Sequence, residues 1–388
     1  MKLRRLFRNL DKRLLIISVL FIVFGLIMIF SASSISATLQ YGATEYYFFR
    51  KQLIIIIIGG IASFICLFIP IKRYKFLSLL GIMGIICVLA LLKTYGTVTN
   101  SARSWFSLFG GFSIQPSEFA KLFIILFLAC SYGSKKKIKN VQDFFIPLIP
   151  CAIIAVLVAC EPDLGTALII TCITALIFFA LPIEKNKTMQ LVKALAIIAI
   201  CLGVIFLNNI PSFLTDTQAS RFNYHNPCSR YLEETGYQVC NGYIAINNGG
   251  LTGVGLGKST QKYLYLPEAH TDFIFPIIVE ELGLIGGIIV LLAYIILLYS
   301  LLVIACNSHN LTGSIIAFGT FSYILMHIIV NIGGLLALIP LTGVPLPFLS
   351  YGGSYMLNLM ILLGLCQRVA IETNEHKYRL EVKKTLEG

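Results

Sequence analysis

Near its N-terminus the chain reads Arg13-Leu-Leu-Ile-Ile-Ser-Val-Leu-Phe-Ile-Val-Phe-Gly-Leu-Ile-Met-Ile-Phe-Ser-Ala-Ser-Ser-Ile-Ser-Ala37. A helix needs about 20 apolar residues to cross the hydrocarbon core of a bilayer, and this run is long enough. It is too long for the apolar region of a cleaved signal peptide and carries no clear cleavage signal. We therefore interpret it as a first membrane-spanning helix.

The remaining sequence repeats this apolar character. Of the 388 residues, 57% are hydrophobic and 12% are charged, about half the charge of an ordinary soluble domain. The apolar runs long enough to span a membrane are residues 14–36, 53–70, 76–93, 118–132, 143–160, 163–181, 191–210, 273–305, 312–338 and 347–370. We predict an all-α polytopic membrane protein with about ten transmembrane helices.

The distribution of positive charge predicts the topology. An even number of spans places both termini on one side, and most of the 30 Lys and Arg residues fall on that side. The positive-inside rule makes that side the cytoplasm. Topology and anionic headgroups explain the net charge of +12, so no nucleic-acid partner is expected. We predict one transmembrane domain over residues 1–370, with an extracellular loop at 211–271 between the seventh and eighth spans, and a cytoplasmic tail at 371–388.

The large outside loop holds two cysteines and a glycine-rich segment. Most of the 11 cysteines lie in or beside apolar runs, where cysteine is a small apolar filler. Cys228 and Cys240 lie in the loop, where an oxidising environment permits a disulfide, and both the bonded and the free state remain open. The segment from Gly253 to Ser259 is similar to a phosphate-binding loop. However, Thr252 replaces the first glycine of that motif and no soluble βα unit surrounds it, which argues against nucleotide binding.

Asp272 is the leading candidate for a catalytic residue. It stands at the end of the outside loop, where the eighth apolar run begins. One interpretation is a helix cap; the other is a general base or a metal-binding carboxylate at the outer surface. His270 and Thr271 beside it favour the second interpretation. Glu280 and Glu281 follow within the apolar run, and we predict that one of them faces a cavity.

Two further pairs combine charge with a membrane boundary. Glu118 and Lys121 are three residues apart in an apolar run, which places them on one helix face. They either neutralise each other or line a polar cavity that orders a substrate headgroup. Arg103 and Trp105 lie outside, where the arginine could hold a phosphate or extend its charge to the membrane surface.

Two motifs at the starts of apolar runs complete the candidate set. Glu161-Pro-Asp163 has the composition of a helix N-terminus, and it also places acids on the same face as Asp272. Ser350 lies among prolines and glycines at the start of the last run, a pattern that often lines a cavity. Because Ser350 has no evident base partner, a serine nucleophile is not favoured.

Several of these segments, in this order and over essentially the whole chain, resemble the SEDS family of bacterial cell-shape, elongation, division and sporulation proteins. The matching segments are Ser31-Ala-Ser33, Ala102-Arg103-Ser-Trp105, Gln115-Pro-Ser-Glu118-Phe-Ala-Lys121, Glu161-Pro-Asp163-Leu-Gly-Thr, Gly236-Tyr-Gln, Gly249-Gly250, Leu266-Pro-Glu-Ala-His-Thr-Asp272 and Pro347-Phe-Leu-Ser350-Tyr-Gly-Gly. The segment that begins at Gly25 and the alanine of Glu268-Ala-His are most similar to the division member of the family.

The resemblance implies the SEDS fold and a peptidoglycan glycosyltransferase that polymerises lipid II at the outer face of the bacterial cytoplasmic membrane. It implies a class B penicillin-binding protein as the transpeptidase partner, with other divisome proteins at the division septum. The family's essential acid matches Asp272. Its helix ion pair matches Glu118 and Lys121, and its loop arginine and tryptophan match Arg103 and Trp105.

The same residues are compatible with other functions, and they indicate which cofactors to expect. An elongation-type or sporulation-type polymerase would share this chemistry. A lipid II flippase or transporter would also use many spans and intramembrane charges, although no inverted repeat is visible. A scaffold that only activates its partner is the third alternative. No organic cofactor is expected, whereas the outside acids, Asp272 first, could hold Mg²⁺ or Mn²⁺ through oxygen ligands.

Overall fold

The structure is a computed structural model that describes residues 6–95, 97–99, 102–107, 113–134, 144–161, 163–182 and 226–387. Its helices are α1 Lys12–Leu39, α2 Tyr47–Phe68, α3 Tyr74–Tyr95, α4 Pro116–Gly133, α5 Leu148–Ala159, α6 Leu164–Ala180, α7 Glu234–Gly249, α8 Ile274–Asn307, α9 Leu311–Leu335 and α10 Gly353–Glu387. Short 3-10 turns cover Ile71–Arg73 and Pro227–Arg230.

Seven of the helices in the described ranges are long and apolar enough to cross a membrane, namely α1 to α4 and α8 to α10. The apolar helices α5 and α6 are shorter. The predicted run 191–210 and the first part of the outside loop, 211–225, lie outside the described residues. The prediction of a mainly helical, multi-pass membrane protein is confirmed, and the count of about ten spans stays a prediction.

Local sequence sets where the helices begin. The Asp11 carboxylate accepts a hydrogen bond from the backbone N–H of Leu14 at 2.8 Å and so caps α1. Asn310 caps α9 in the same way by accepting from the N–H of Gly313 at 2.7 Å. Such caps satisfy backbone donors that have no partner within the helix.

A small antiparallel sheet precedes α4, in the segment that carries Arg103 and Trp105. It is formed by β1 Thr97–Thr99, β2 Ala102–Ser107 and β3 Ser113–Ile114, with β2 in the middle. Thr97 pairs with Trp105, and Phe106 pairs with Ile114. The sheet gives backbone donors and acceptors of this outside segment their partners.

Helix α9 occupies the centre of the helical assembly. It packs against α4, α6, α8 and α10. The interior face of α9 carries Tyr323 and His327, whose rings pack against each other and against the ring of Tyr355 of α10, with centroids 4.6 to 5.7 Å apart. Large polar side chains therefore meet in the middle of a membrane domain, where each needs a partner.

The outside loop contains a helix, α7, that the sequence analysis did not predict. A disulfide between Cys228 and Cys240 joins the 3-10 turn before α7 to the helix itself. The sequence had left this bond open. A crosslink that closes so short a loop stabilises a fold by about 3 kcal/mol through the entropy of the unfolded chain.

Helix α8 is broken at Gly283, where φ is 75° and ψ is 176°. The residues after α7 fill the break with their own backbone. They donate N–H groups to the carbonyls of Glu280 and Glu281 at 2.9 and 3.0 Å, and their carbonyls accept from the N–H groups of Leu284 and Ile285 at 2.9 and 3.3 Å. Only glycine fits here, because a Cβ on residue 283 would lie 2.2 Å from a carbonyl oxygen.

Glu280 binds residues 259–261, the part of the outside loop that follows the residues filling this break. Its side chain is completely buried and accepts hydrogen bonds from the hydroxyl of Ser259, from the N–H and hydroxyl of Thr260, from the N–H of Gln261 and from the amide of Asn248. The prediction that Glu280 or Glu281 faces a cavity does not hold for Glu280, because these donors occupy both of its carboxylate oxygens. The structure instead places it as an anchor for the outside loop.

Glu281 forms a second buried anchor. Its carboxylate lies 3.0 Å from the Lys262 ammonium and accepts from the Ser31 hydroxyl at 2.7 Å. The lysine side chain is 4% exposed and the glutamate side chain is not exposed. Because removing one partner would leave the other as an uncompensated buried charge, the pair fixes the outside loop to both α1 and α8.

Replacing Lys262 by Met should therefore lower stability strongly, by about 3–5 kcal/mol. The matched control is Lys383→Met, which breaks the exposed Lys383–Glu387 pair and should cost about 0–1 kcal/mol. Thermal unfolding in detergent measures both. The double variant Lys262→Met/Glu281→Gln should recover much of the loss, and a Lys262→Met midpoint equal to that of the control would contradict this account.

Candidate active site at the outer face

Asp272 lies two residues before α8. The helix begins at Ile274 and its cap position is Phe273, whose side chain makes no capping hydrogen bond. Asp272 therefore stands one residue before the cap position. Asp272 lines a small cleft of about 10 Å³, room for roughly one water molecule, that is partly open to solvent. The other lining residues are Phe273, Val330, Asn331, Leu335, Leu341, Thr342, Gly343 and Val344.

A tight turn orients Asp272. Glu268 has a left-handed backbone conformation with φ of 53°, and its carbonyl accepts from the N–H groups of Thr271 and Phe273 at 3.1 and 3.2 Å. The Thr271 hydroxyl lies 2.6 Å from the Glu268 carboxylate and 3.1 Å from Asp272 Oδ1. Strained backbone of this kind persists only where surrounding contacts hold it, and it is common at functional sites.

His270 supports the turn from its buried side. Its ring packs 4.3 Å from the ring of Phe48 and 5.9 Å from that of Tyr351, and its carbonyl accepts from the Tyr351 N–H at 2.9 Å. Burial lowers the pKa of His270, and nearby Glu268 opposes that effect in part. The imidazole is therefore neutral at pH 7 and serves as packing for the turn.

Asn331 of α9 holds Asp272 through its backbone. The Asn331 amide donates to the carbonyl of Asp272 at 2.8 Å and to the carbonyl of Val344 at 2.8 Å. Both walls of the cleft are thus fastened to one buried side chain.

One turn earlier on α9, His327 joins this arrangement to the ion pair of α4. Lys121 Nζ lies 2.7 Å from Glu118 Oε1 and 3.0 Å from His327 Nε2. The other nitrogen of His327 lies 3.2 Å from the carbonyl of Pro345, and Tyr323 donates to the second Glu118 oxygen at 3.3 Å. The predicted ion pair between Glu118 and Lys121 is confirmed.

These contacts form one buried polar chain. It consists of the side chains of Glu118, Lys121, His327 and Asn331 and of three carbonyl groups. His327 bonds to the carbonyl of residue 345, and Asn331 bonds to the carbonyls of residues 344 and 272. Every charge in it has a partner close by, which is the condition for burying charge inside a membrane domain.

Asp163 caps a helix and also stands near the cleft. One of its oxygens accepts from the Thr166 N–H at 3.0 Å, and the other accepts from the Gln115 amide at 2.9 Å. The predicted capping role is confirmed. The first turn of α6 also approaches Thr342 of the cleft, since a Cβ on Gly165 would lie 2.7 Å from that side chain.

Glu161 is buried with no hydrogen-bond partner for either carboxylate oxygen in the part of the chain that the structure describes. Its carbonyl accepts from the Ser104 hydroxyl at 3.2 Å, so it lies beside β2. Burial, followed by the charge of Asp163, raises the pKa of Glu161 to about 8. This carboxyl group is therefore mainly protonated at pH 7 and can act as a hydrogen-bond donor.

The remaining candidates lie around this face. Arg103 and Trp105 are on β2, although the Arg103 side chain lies outside the described part of the structure. The Ser350 hydroxyl accepts from the Leu346 N–H at 2.8 Å and is buried, so it stabilises the turn before α10. Among the described residues no three His, Cys, Asp or Glu side chains cluster as metal ligands; Asp272 as a metal ligand stays a prediction.

Sequence reasoning missed Asn331 and His327. A signal for them existed, because both are polar residues in the apolar run 312–338 and are spaced four apart, on one helix face. The sequence did not indicate that the segment after α9 returns to this helix, where its carbonyls at residues 344 and 345 bind these two side chains.

Asn331→Ala should leave the carbonyls of Asp272 and Val344 without their donor. We expect a loss of about 2 kcal/mol or more in stability, and a loss of activity on the order of tenfold to hundredfold because the acid is misplaced. The matched control is Gln367→Ala, which also removes a buried amide bonded to backbone, here that of Asp11 at the opposite end of the molecule.

Thermal unfolding and initial rates of the purified variants separate the two effects. Equal stability losses with activity lost only in Asn331→Ala support positioning. Proportional losses of activity in both variants would refute it.

The chain as a whole is similar to known proteins. Residues 11–375 match the model of the cell cycle protein family that comprises FtsW, RodA and SpoVE. The probable peptidoglycan glycosyltransferase FtsW of Bacillus subtilis (strain 168) is 36% identical over 98% of this chain and 95% of its own length. Stage V sporulation protein E of the same organism is 37% identical over 93% of this chain and 96% of its own.

A solved structure described as the structural coordination of polymerization and crosslinking by a peptidoglycan synthase complex has the same fold. Its TM-score is 0.73 at 23% identity, and the match covers 94% of this chain and 98% of that one. The helical membrane fold and the match to the family model over nearly the full length agree: the chain belongs to the FtsW/RodA/SpoVE family of cell cycle proteins.

Proposed function

We propose that this protein is a peptidoglycan glycosyltransferase that polymerises lipid II at the outer face of the cytoplasmic membrane. The observation that carries the proposal is the position of Asp272, a partly buried acid held by backbone contacts in a cleft beside the start of α8. Similarity over 98% of this chain to the probable peptidoglycan glycosyltransferase FtsW of Bacillus subtilis supports it.

In this reaction Asp272 acts as the general base. Its carboxylate accepts the proton of the 4-hydroxyl of the acceptor GlcNAc while that oxygen bonds to C1 of the donor MurNAc. The bond from C1 to the pyrophosphate oxygen breaks in the same displacement, which inverts C1 and releases undecaprenyl pyrophosphate. The proton then passes from Asp272 to water. A positioned base contributes about 10²–10⁴-fold to such a step.

An apolar groove could take the polyprenyl chain of a substrate. It has a volume of about 200 Å³ and lies among α2, α4 and α10, next to β3. Its lining residues are Ile54, Ile55, Ile58, Ser113, Ile114, Phe119, Gly353, Ser354 and Leu357. The Gln115 N–H donates to the hydroxyl of Ser354, a lining residue of the groove, at 2.9 Å. Gln115 also binds Asp163, so the groove lies close to this acid of the outer face.

The leaving pyrophosphate needs positive charge. Lys121 is not suited to this role, because its side chain is completely buried and bound to Glu118 and His327. We assign the role to Arg103 on β2, since a guanidinium group binds phosphate oxygens in pairs.

A divalent cation is a second source of charge. Asp272 supplies one carboxylate, and no acid cluster accompanies it among the described residues. Mg²⁺ commonly takes one or two protein carboxylates and completes its shell with phosphate oxygens and water, so this donor set fits a cation that arrives with the substrate. When bound, the cation would neutralise charge on the pyrophosphate.

The partner and the cellular location belong to the same proposal. We propose a class B penicillin-binding protein as the transpeptidase partner, together with other divisome proteins at the division septum. The structural similarity to a peptidoglycan synthase complex and the similarity to FtsW support this assignment. The comparable identity to a sporulation protein keeps a sporulation-type polymerase as the alternative.

Asp272→Asn should lower glycan polymerisation by about 10²–10⁴-fold, because the amide cannot accept the proton. The assay uses the protein purified with its class B partner, labelled lipid II and Mg²⁺, and resolves glycan chains on a gel. Asp11→Asn is the matched control, because Asp11 caps α1 at the opposite end and asparagine caps equally well. A parallel assay with EDTA tests whether polymerisation requires the divalent cation.

Chains from wild type and from Asp11→Asn, with almost none from a folded Asp272→Asn variant that binds the partner, support the proposal. Full polymerisation by Asp272→Asn would refute its role as the base. Headgroup translocation in liposomes by a wild-type protein that makes no chains would favour the transport alternative.

A further inference from the structure

The glycine-rich loop after α7 exposes apolar side chains that the proposed reaction does not use. Leu251 is 67% exposed, Leu256 is 55% exposed and Val254 is 39% exposed. Lys258 follows directly and is also exposed. Leucines presented this way at the tip of a loop usually mark a surface that contacts a membrane or another protein.

The exposure of side chains along α8 indicates where this loop lies relative to the membrane. Its first segment, from Ile274 to Glu281, is buried inside the protein. Exposure begins after the break, where Leu284 is 45% exposed and Ile285 is 52% exposed. A continuous series of exposed apolar side chains marks the part of a spanning helix that lipid surrounds, and on α8 this series begins at Leu284 and Ile285 and continues through Ile288 and Ile289.

The loop lies at that same height. The N–H groups of Leu284 and Ile285 donate to the carbonyls of Gly250 and Leu251 at 2.9 and 3.3 Å. On α1, Ser31 bonds to Glu281 at this level, and Ile27, one turn below, is 45% exposed. Two helices thus place the outer boundary of the membrane next to the exposed leucines.

Backbone N–H groups of the loop have hydrogen-bond partners inside the protein. Its N–H groups at Gly253, Val254 and Gly255 donate to the carbonyls of Gly249, Glu280 and Glu281 at 2.8, 2.9 and 3.0 Å. Irregular backbone can enter a bilayer only where its polar groups have such internal partners.

We propose that the loop from Gly250 to Gly257 inserts into the outer leaflet of the membrane, with Leu251, Val254 and Leu256 among the acyl chains near the headgroup boundary. The loop continues the lipid-facing surface of α8 without a gap, because Leu251 is hydrogen-bonded to Ile285. The occupant of this surface is lipid.

The residues around the loop match a membrane interface. Tyr263 and Tyr265, on the returning segment, are 52% and 58% exposed, and aromatic rings with one polar end concentrate at the headgroup level. The exposed ammonium of Lys258 suits anionic headgroups. A water-facing loop would gain nothing from this combination of leucine, tyrosine and lysine.

Insertion would fix the height of the active site above the membrane. The returning segment carries Lys262, whose buried ion pair with Glu281 fastens it to α8, and it ends at Asp272. A loop anchored both to lipid and to α8 holds the acid at a constant distance from the plane in which a lipid-linked substrate diffuses.

Tryptophan fluorescence tests the insertion. The chain has a single Trp, so the wild-type emission can be subtracted from that of Leu251→Trp and Leu256→Trp, each reconstituted as the full chain in bilayers with and without brominated acyl chains. Leu232→Trp is the control, because Leu232 is fully exposed on the turn before α7. Val254→Trp is a third probe should one of the first two fail to fold.

We expect blue-shifted emission at positions 251 and 256, weakened about twofold or more by brominated lipid, since apolar groups at an interface lie about 5–10 Å into the acyl boundary. Leu232→Trp should show water-exposed emission that acrylamide quenches and brominated lipid leaves unchanged. Water-exposed emission without bromine quenching at either loop position would overturn the proposal, whatever the polymerisation assay shows.

Discussion

Charge inside a membrane domain is tolerated only when it is compensated, and on α4 the ammonium of Lys121 is compensated by Glu118 at 2.7 Å and by His327 at 3.0 Å. This interaction connects α9 to α4, because His327 belongs to α9. Once α9 is placed, Asn331 one turn further on binds the carbonyl of Asp272. The contacts that compensate the buried charge of Lys121 thus also help to position Asp272 at the outer face of the membrane.

A second constraint acts at the outer half of α8. The helix breaks at Gly283, and an interrupted helix leaves backbone donors and acceptors without partners. The loop after α7 supplies those partners, while Glu280 and the Lys262–Glu281 pair fasten the segment that returns to Asp272. The same acids that composition alone would assign to chemistry serve here as structural anchors. The broken helix and the outside loop therefore form one unit.

Much of this could be predicted from the sequence, and the exceptions share a cause. Apolar runs predicted the helices because length and hydropathy suffice for that, and the spacing of Glu118 and Lys121 predicted their contact. The helix from Glu234, the break at Gly283 and the role of Glu280 were not predicted, because each depends on a segment distant in sequence. The same holds for Asn331, whose partners lie 59 and 13 residues away along the chain.

The central claim is that the ion pair of α4 and Asn331 act on Asp272 through one connected chain. A double-mutant cycle on the initial polymerisation rate tests it most directly, with Glu118→Gln/Lys121→Met as one perturbation and Asn331→Ala as the other. Because connected residues couple, the combined variant should lose no more activity than the more damaged of the two. Losses that multiply would contradict the account, since they would mean that the ion pair and the asparagine act independently.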